Sequence, residues 1–267
     1  SKVGPTSRRW GFFSGRILGH GVIDVDTSGR IISLLHTLGA LGLCDFSSTF
    51  PIISRAFIIF VMRTAGFPDW CIVLTSASWP GSKVVDDNGN LLYEMHGGVS
   101  QGCPAAAAAF VVSINPILVA LHGIADPTVG ETVSAFADDI AMVLSSIDRI
   151  NIVHDIFAEF NLASALSLNF KKTVFVPLSA GCTIAAAAVI RHSLVGSPWA
   201  DVAVSTSAIL KGIPVGPPGS VHATCAALRK FAVRSREIAD LGLAPYRRPH
   251  SGQYSCHARY TSRLSIL

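Results

Sequence analysis

The apolar residues of the chain cluster in short runs, and the way in which each run ends predicts an element. The run at 38–46 ends in a carboxylate, so we predict a buried strand with Asp45 at its C-terminal end. Ser and Thr residues then precede Pro51, a pattern typical of a helix start, and we predict that this helix ends at Gly66. Pro68 predicts the start of a second helix.

The next part of the chain alternates between turn signals and apolar stretches. Asn88-Gly89 lies between two short apolar runs, which predicts a β-hairpin over 82–95. The apolar stretch at 103–121 approaches the length of a membrane span, but two polar residues and a proline interrupt it. We therefore predict an Ala-rich buried helix over 105–122 and no association with a membrane.

A pair of adjacent aspartates interrupts the following apolar segment, 132–146. Two apolar stretches flank Ala137, Asp138 and Asp139, which predicts a β-hairpin with the aspartates at its tip. An isolated charge is costly in an apolar interior, and a position at the tip avoids that cost. Later patterns predict a helix in 148–164, a strand or turn in 166–178, a strand in 206–217 and a basic helix in 220–242.

These elements predict an α+β fold in which helices cover one face of a largely antiparallel sheet. We expect one domain over 1–219, followed by a basic helix and tail over 220–267 that is disordered after about residue 245. The six cysteines are scattered and form no CxxC pair, which favours reduced thiols of an intracellular protein over a zinc site. No basic segment followed by an apolar one opens the chain, so we expect no signal peptide.

The charge of the chain is distributed unevenly. The 267 residues carry a net charge of +4, and residues 222–267 alone hold eight Arg or Lys against two acids. A smaller basic cluster that includes Arg16 opens the chain. Basic ends around a slightly acidic middle suit a polyanion held near a metal site. An ordinary solvated surface would explain the charge alone equally well.

Two separate segments present carboxylates at a strand end or a hairpin tip, Asp45 in one and Asp138 with Asp139 in the other. Mg²⁺ prefers such hard oxygen ligands and takes one or two carboxylates together with waters and substrate phosphates. Two ions about 4 Å apart can clamp an in-line phosphoryl displacement. The Ala-Asp-Asp string alone is weak evidence, because tandem acids also occur in ordinary turns such as the one at 86–87.

The order of several motifs along the chain strengthens this interpretation. The segments are "CDFSSTFP" at 44–51, "GGVSQGCP" at 97–104, "FADD" at 136–139, "LSLNFKKT" at 166–173 and "LKGIPVGP" at 210–217. Their order and spacing resemble the palm of reverse transcriptases, most closely those of non-LTR retrotransposons. Upstream, the segment around Arg16 is similar to a fingers motif of the same family. The resemblance extends from about residue 10 to residue 217, and it implies a right-hand polymerase with fingers and palm.

The resemblance implies roles for the acidic residues and one lysine. Asp45 and Asp138 would bind two Mg²⁺ ions, Asp139 would assist, and Mn²⁺ is expected to substitute for Mg²⁺. Lys172 would protonate the leaving pyrophosphate.

It also implies contacts with the substrates. Phe50 would be a steric gate whose ring excludes the 2′-hydroxyl of a ribonucleotide. Gln101 would contact the nascent base pair or the template backbone, Gly102 would let that backbone approach closely, and Arg16 would hold template or triphosphate. The implied partners are an RNA or DNA template with a primer and deoxynucleotide triphosphates.

The chain departs from the family pattern at several positions. Pro51 stands where many members have a second aspartate, alanines follow Pro104, and Gly21 replaces a usual asparagine. Lys211 stands where an aromatic residue would help to grip the primer. Compared with the family, we expect the chain to lack early finger strands, a full thumb, an endonuclease and an RNase H. These departures leave the implied metal ligands intact.

These observations leave four functions open. The first is an active RNA- or DNA-templated DNA polymerase of retrotransposon origin. The second is a catalytically degenerate fragment that binds nucleic acid or is a relic of a mobile element. The third is an RNA-dependent RNA polymerase, against which Phe136-Ala137 and Gln101-Gly102 argue. The fourth is an α+β domain whose tandem aspartates form an ordinary turn.

Overall fold

The computed structural model describes residues 18–47, 49–79, 83–94, 97–99, 104–180, 183–216, 229 and 231–237. The chain divides into two compact units, Ser1–Ser220 and Val221–Leu267. In the second unit, the described residues form a helix that exposes Arg234 and Arg236. The predictions for Arg16, Gln101, Gly102 and the tail after 245 lie outside the described residues.

The described residues of the first unit form helices interspersed with strands. The helices are α1 (Leu18–Leu35), α2 (Arg55–Thr64), α3 (Asp69–Ala77), α4 (Pro104–Ile124), α5 (Ile150–Ser164) and α6 (Thr183–Leu194), with 3₁₀ turns at Pro127–Val129 and Ile147–Arg149. The strands are β1 (Gly39–Cys44), β2 (Lys83–Val85), β3 (Leu91–Glu94), β4 (Thr132–Phe136), β5 (Asp139–Leu144), β6 (Val174–Leu178), β7 (Ala203–Val204), β8 (Ala208–Leu210) and β9 (Ile213–Val215).

A five-stranded sheet with the order β4-β5-β1-β6-β7 forms the centre of this unit. β4, β5, β1 and β6 pair antiparallel, and β7 joins β6 in parallel. The apolar sequence of β1 suits its central position, because both of its faces and both of its edges are covered. The predicted α+β class with a largely antiparallel sheet is confirmed.

Each face of the sheet contributes to its own hydrophobic core, because successive side chains of a strand point to opposite faces. On one face, Cys44 of β1 belongs to the core formed with α2, α4 and α5, which includes Phe110. On the other face, Leu41 of β1 packs with Val25 and Ile32 of α1. The prediction that helices cover one face is therefore wrong, since α1 covers the second.

The start of α2 also differs from the prediction. Pro51 lies in a turn, and the helix begins at Arg55, with the Ser54 side chain accepting a hydrogen bond from the Phe57 backbone N–H at 3.3 Å. A serine cap satisfies one of the free N–H groups of the first helical turn, which fixes the start at this position. The helix ends as predicted, just before Gly66, whose φ is 77°.

The Ala-rich helix α4 is central to the larger core. It contacts α2, α5 and β4, and Phe110, Ile114 and Leu121 are fully buried. Among the described residues, Ala106–Ile124 is long and apolar enough to cross a membrane, and half of it is buried within the protein. These contacts agree with the predicted buried helix.

Two hairpins lie outside the central sheet. β2 and β3 pair around Asn88-Gly89, which confirms the hairpin predicted there. The segment 206–217 was predicted to be one strand, but it folds into β8 and β9, which pair with each other. The reason is the turn at Lys211-Gly212, where both residues adopt positive φ, 52° and 79°, and so reverse the chain.

Candidate active site

β1 and the β4–β5 hairpin bring three aspartates to one end of the central sheet. The antiparallel register pairs Cys44 with Ile140, so Asp45, which follows Cys44, and Asp139, which precedes Ile140, lie across from each other. Phe136 pairs with Asp139, which leaves Ala137 and Asp138 as the tip of the hairpin. The hairpin predicted from the sequence is therefore confirmed.

Alternation along the strands decides which way two of these carboxylates face. Along β5, Asp139 belongs to the face of Ala141 and Val143, and along β1, Asp45 belongs to the face of Leu41. Both aspartates therefore belong to the face that is covered by α1 and by the β8–β9 hairpin.

The backbone at the hairpin tip is unusual. Ala137 has a φ of 53°, a conformation that residues other than glycine rarely adopt. This conformation turns the chain between β4 and β5 and leaves Asp138 half-buried. Residues in such conformations cluster at functional sites, because the surrounding structure must hold them there.

The surroundings of Asp138 disfavour its charged form. Burial raises the pKa of the Asp138 carboxyl, the negative charges of Asp139 and Asp45 raise it further, and the charge of Lys211 opposes this effect. The pKa of Asp138 is therefore above its ordinary value. Three carboxyl groups that repel one another form an environment in which a divalent cation would be stabilised.

Lys172 lies beside the first aspartate, and a turn of the backbone holds it there. Its Nζ atom is 3.2 Å from Oδ2 of Asp45. The backbone N–H of Asn169 donates to the carbonyl of Asp45 at 2.8 Å, and the Asn169 side chain accepts from the N–H of Lys172 at 3.2 Å. The loop that carries Lys172 is thus tied directly to the end of β1.

A second lysine reaches the site from the β8–β9 hairpin. The Nζ atom of Lys211 donates a hydrogen bond to Oδ2 of Asp139 and lies 4.6 Å from the centre of the Phe136 ring. The sequence marked Lys211 only as a departure from the family pattern. Its pairing with Asp139 was missed, because the two residues are far apart in sequence and no motif joins them.

Phe50 lies after β1, in the turn that precedes α2. It is half-buried, and its ring centre is 4.9 Å from that of Phe110 in α4. The carbonyl of Phe50 accepts a hydrogen bond from the N–H of Val99 at 2.7 Å. A Cβ atom at Gly98 would lie 2.3 Å from the same carbonyl oxygen, so only glycine fits there. The glycine-rich segment is therefore packed directly against the residue predicted to be the gate.

Arg55 secures this contact from the first turn of α2. Its Nε atom donates to the carbonyl of Gly98 at 2.8 Å, and its guanidinium lies 5.6 Å from the ring centre of Trp79. No motif in the sequence indicates this role for Arg55. Gln101 and Gly102, which follow this segment, lie outside the described residues.

The donor chemistry of the site fits a magnesium-type cation. Within the described ranges, no three His, Cys, Asp or Glu side chains converge closely enough to form a complete protein-made metal site. Mg²⁺ does not require one, since one or two carboxylates with waters and phosphates suffice. Asp45, Asp138 and Asp139 offer only hard oxygen donors, but in this arrangement Asp45 and Asp139 each contact a lysine.

Comparison with known protein families identifies one that matches most of the chain. The family model for reverse transcriptase (RNA-dependent DNA polymerase) matches residues 34–231. The match includes all three aspartates, Phe50 and both lysines of the site. None of the curated proteins compared matches the chain.

Solved structures of telomerase share the fold. Apo telomerase from Candida tropicalis, truncated from the C-terminal domain, matches with a TM-score of 0.50 at 13% identity, over 62% of this chain and 36% of that one. Telomerase from Candida tropicalis in complex with a fragment of telomeric RNA matches with a TM-score of 0.50 at 12% identity, over 61% of this chain and 29% of that one. The chain therefore spans about a third of the length of these telomerases, and the likeness concerns the right-hand polymerase fold.

Proposed function

Because the chain belongs to the reverse transcriptase (RNA-dependent DNA polymerase) family, we propose that it is the fingers and palm of an enzyme that extends a DNA primer along a template. One observation carries this proposal: the structure gathers Asp45, Asp138 and Asp139 at one end of the sheet, with Lys172 beside Asp45. A turn or a structural ion pair would not require three carboxylates from two separate segments.

The three aspartates are the residues that would hold two Mg²⁺ or Mn²⁺ ions. Such ions, when bound, neutralise the phosphates of the incoming nucleotide and favour in-line displacement of pyrophosphate. Lys172 donates a proton from Nζ to the leaving pyrophosphate. Its side chain is 65% exposed, which leaves it free to move from Asp45 toward a bound triphosphate.

Sugar selection is assigned to Phe50. Its ring is fixed against Phe110, and its carbonyl is fixed by Val99, so the side chain cannot retreat easily. A rigid ring below the sugar of the incoming nucleotide excludes a 2′-hydroxyl and favours deoxynucleotides. Gln101, Gly102 and Arg16 remain proposed contacts to the template and triphosphate.

RNA is the template class that we propose. The motif order supports descent from a non-LTR retrotransposon, and a structural neighbour is a telomerase in complex with telomeric RNA. The free thiols of Cys44 and Cys71 suit an intracellular location.

The alternative is a catalytically degenerate domain that still binds nucleic acid. The contact between Lys211 and Asp139 favours it, because a lysine at this carboxylate opposes metal binding. A degenerate domain would retain the salt-dependent binding of a primer–template but would add no nucleotides.

A primer-extension assay separates the two. The purified chain is given a DNA primer annealed to an RNA template, all four deoxynucleotide triphosphates and Mg²⁺, and the products are sequenced. The proposal expects extension that copies the template and stops when EDTA is added. Binding of the primer–template without any extension, in Mg²⁺ and in Mn²⁺, would support the degenerate domain.

A further inference from the structure

The β8–β9 hairpin places a lysine at the aspartate end of the sheet in an unusual backbone conformation. Lys211 and Gly212 form its two-residue turn, and both have positive φ. Asn-Gly or Asp-Gly sequences favour such a turn, whereas a lysine in it is strained. Leu210 and Val215 anchor the two strands in the smaller core, so the position of the turn is set by packing.

The side chain of Lys211 does not extend into solvent. It is 19% exposed, its ammonium lies over the Phe136 ring, and it donates to Asp139 across 72 residues of sequence. An ammonium held between a ring face and a carboxylate has lost much of its hydration, so the pair is stronger than an exposed ion pair. The Lys172–Asp45 pair differs, because its lysine is 65% exposed.

We infer that Lys211 sets the affinity of the aspartate site for divalent cations: its ammonium occupies Asp139 in the metal-free protein and must leave that carboxylate when a cation binds. This inference rests on the proposed function, because it takes the three aspartates as the cation ligands. The lysine is a positioning residue that acts through Asp139. Breaking the Lys211–Asp139 pair costs free energy, which lowers the affinity for the cation. Once released, the ammonium of Lys211 is available near the substrate phosphates.

The experiment is a titration of the full 267-residue chain with Mn²⁺ alone, in which electron paramagnetic resonance measures the free ion. Lys211→Met removes the charge, and we expect it to bind Mn²⁺ about tenfold more tightly than the unaltered chain. Lys211→Arg keeps the charge and should restore the original affinity. Lys211→Asn removes the charge in a residue that tolerates positive φ, so it gives the same test if the methionine variant folds poorly.

Two controls make the result specific. Lys83→Met removes a lysine from the exposed pair with Glu94 on the separate β2–β3 hairpin, and it should leave the Mn²⁺ affinity unchanged. In an Asp139→Asn background, Lys211→Met should have a much smaller effect, because the direct partner has lost its charge and only the weaker interaction of Lys211 with Asp138 remains. Thermal melting of each variant confirms that it is folded.

The outcomes distinguish this inference from the proposed function. If the unaltered chain binds Mn²⁺ and Lys211→Met binds it equally well, the inference fails while the metal-dependent function stands. If neither the unaltered chain nor any lysine variant binds Mn²⁺ in the millimolar range, the metal site fails and the inference fails with it. Tighter binding by Lys211→Met and Lys211→Asn, but not by Lys211→Arg or Lys83→Met, supports it.

Discussion

At the scale of single residues, the three aspartates carry a cost in stability. Asp138 is half-buried, and its pKa is raised by burial and by the negative charges of Asp139 and Asp45. A carboxyl whose pKa is higher in the folded state than in the unfolded state destabilises the fold once it ionises. The folded protein therefore bears the cost of holding these carboxylates together.

Substitution of Asp138 by asparagine should make the metal-free protein more stable. The amide keeps the shape of the side chain but removes the repelling charge, so we expect a gain of up to about 1 kcal/mol, limited by the solvent that screens a half-exposed site. Urea unfolding of the two proteins at pH 7 with EDTA measures it. Asp87→Asn, in the exposed turn of the β2–β3 hairpin, is the matched control and should change nothing. A clear loss of stability in Asp138→Asn would contradict the repulsion.

Substitution of Phe50 by valine should relax sugar selection. Removing the ring opens space for a 2′-hydroxyl, and the cavity left beside Phe110 costs about 1–3 kcal/mol of stability, since Phe50 is only half-buried. The ratio of deoxynucleotide to ribonucleotide incorporation should fall at least about tenfold, which corresponds to about 1.4 kcal/mol. An active variant with an unchanged ratio would show that Phe50 serves packing alone.

The sequence predicted some of these residues better than others, for physical reasons. Asp45 and Asp138 were predicted to share a site because each follows a local signal, a strand end or a hairpin tip. The face that each strand presents depends on register, and the packing of the β8–β9 hairpin on that face brought Lys211 to Asp139 without any local signal. The sequence likewise does not predict the positive φ of Ala137, because alanine rarely adopts this conformation.

At the scale of elements, an ion pair between the buried Glu131 and the partly exposed Arg149 holds the base of the hairpin that carries Asp138. Glu131, just before β4, is 2% exposed and accepts hydrogen bonds from the backbone N–H groups of Ser145 at 2.9 Å and Asp126 at 2.8 Å. Arg149 donates both to Glu131 and to the carbonyl of Ile124. This network ties the end of α4 to both strands of the hairpin.

Glu131→Gln should destabilise the protein by about 3 kcal/mol, because it leaves Arg149 without its charged partner. Burial by itself would raise the pKa of Glu131, but hydrogen bonds from Ser145, Asp126 and Arg149 bring it below its ordinary value. The stability that ionised Glu131 contributes to the fold is therefore complete above the pKa of about 4.3 that a glutamate has in the unfolded chain. It is lost as the pH falls through the lower pKa of Glu131 in the folded protein.

Denaturant unfolding at several pH values tests this network. The difference in stability between the original chain and Glu131→Gln should be largest near pH 7 and should shrink below about pH 4. Glu94→Gln, which breaks the exposed pair with Lys83, should cost less than about 1 kcal/mol. A Glu131→Gln variant that is as stable as Glu94→Gln would exclude the network as a support of the hairpin.

The ends of helices and strands were predictable where a cap or turn residue in the same segment marks them. The Asn88-Gly89 turn correctly predicted the β2–β3 hairpin. Pro51 led to a wrong prediction for the start of α2, because Ser54 provides the better cap. α1 was not predicted, although Val22, Val25, Gly29 and Ile32 follow the helical spacing of three and four residues. Three glycines and several β-branched residues weaken its local helix propensity, so its packing against the sheet stabilises it.

At the scale of the whole molecule, positive charge in the second unit should contribute to nucleic-acid binding. The described residues there include the exposed Arg229, Arg234 and Arg236. Arginines contact phosphates without reading bases, and binding that releases counterions weakens steeply with salt. This charge suits the proposed partner, a primer–template.

Replacing Arg229, Arg234 and Arg236 by glutamine should weaken binding of the primer–template. The slope of log affinity against log salt should become shallower by up to about 2, because each arginine that binds a single-strand phosphate adds about 0.7 to its steepness. Fluorescence anisotropy across salt concentrations measures the slope. Arg234→Gln alone is compared with Arg30→Gln, whose arginine pairs with Asp26 on α1 and which should leave the slope unchanged. Equal slopes for the triple variant and the original chain would assign these arginines to solvated surface.

The most direct test of the account is single-nucleotide addition to a DNA primer on an RNA template in Mg²⁺, measured for the original chain, Asp138→Asn and Asp87→Asn. Both variants replace one aspartate of a tandem pair in a hairpin, but only Asp138 lies beside Asp45 and Asp139. We expect the original chain and Asp87→Asn to add the templated deoxynucleotide at similar rates, and Asp138→Asn to be slower by at least about 100-fold. Equal rates in all three proteins, or no addition by the original chain in either Mg²⁺ or Mn²⁺, would contradict a metal-dependent polymerase site at these aspartates.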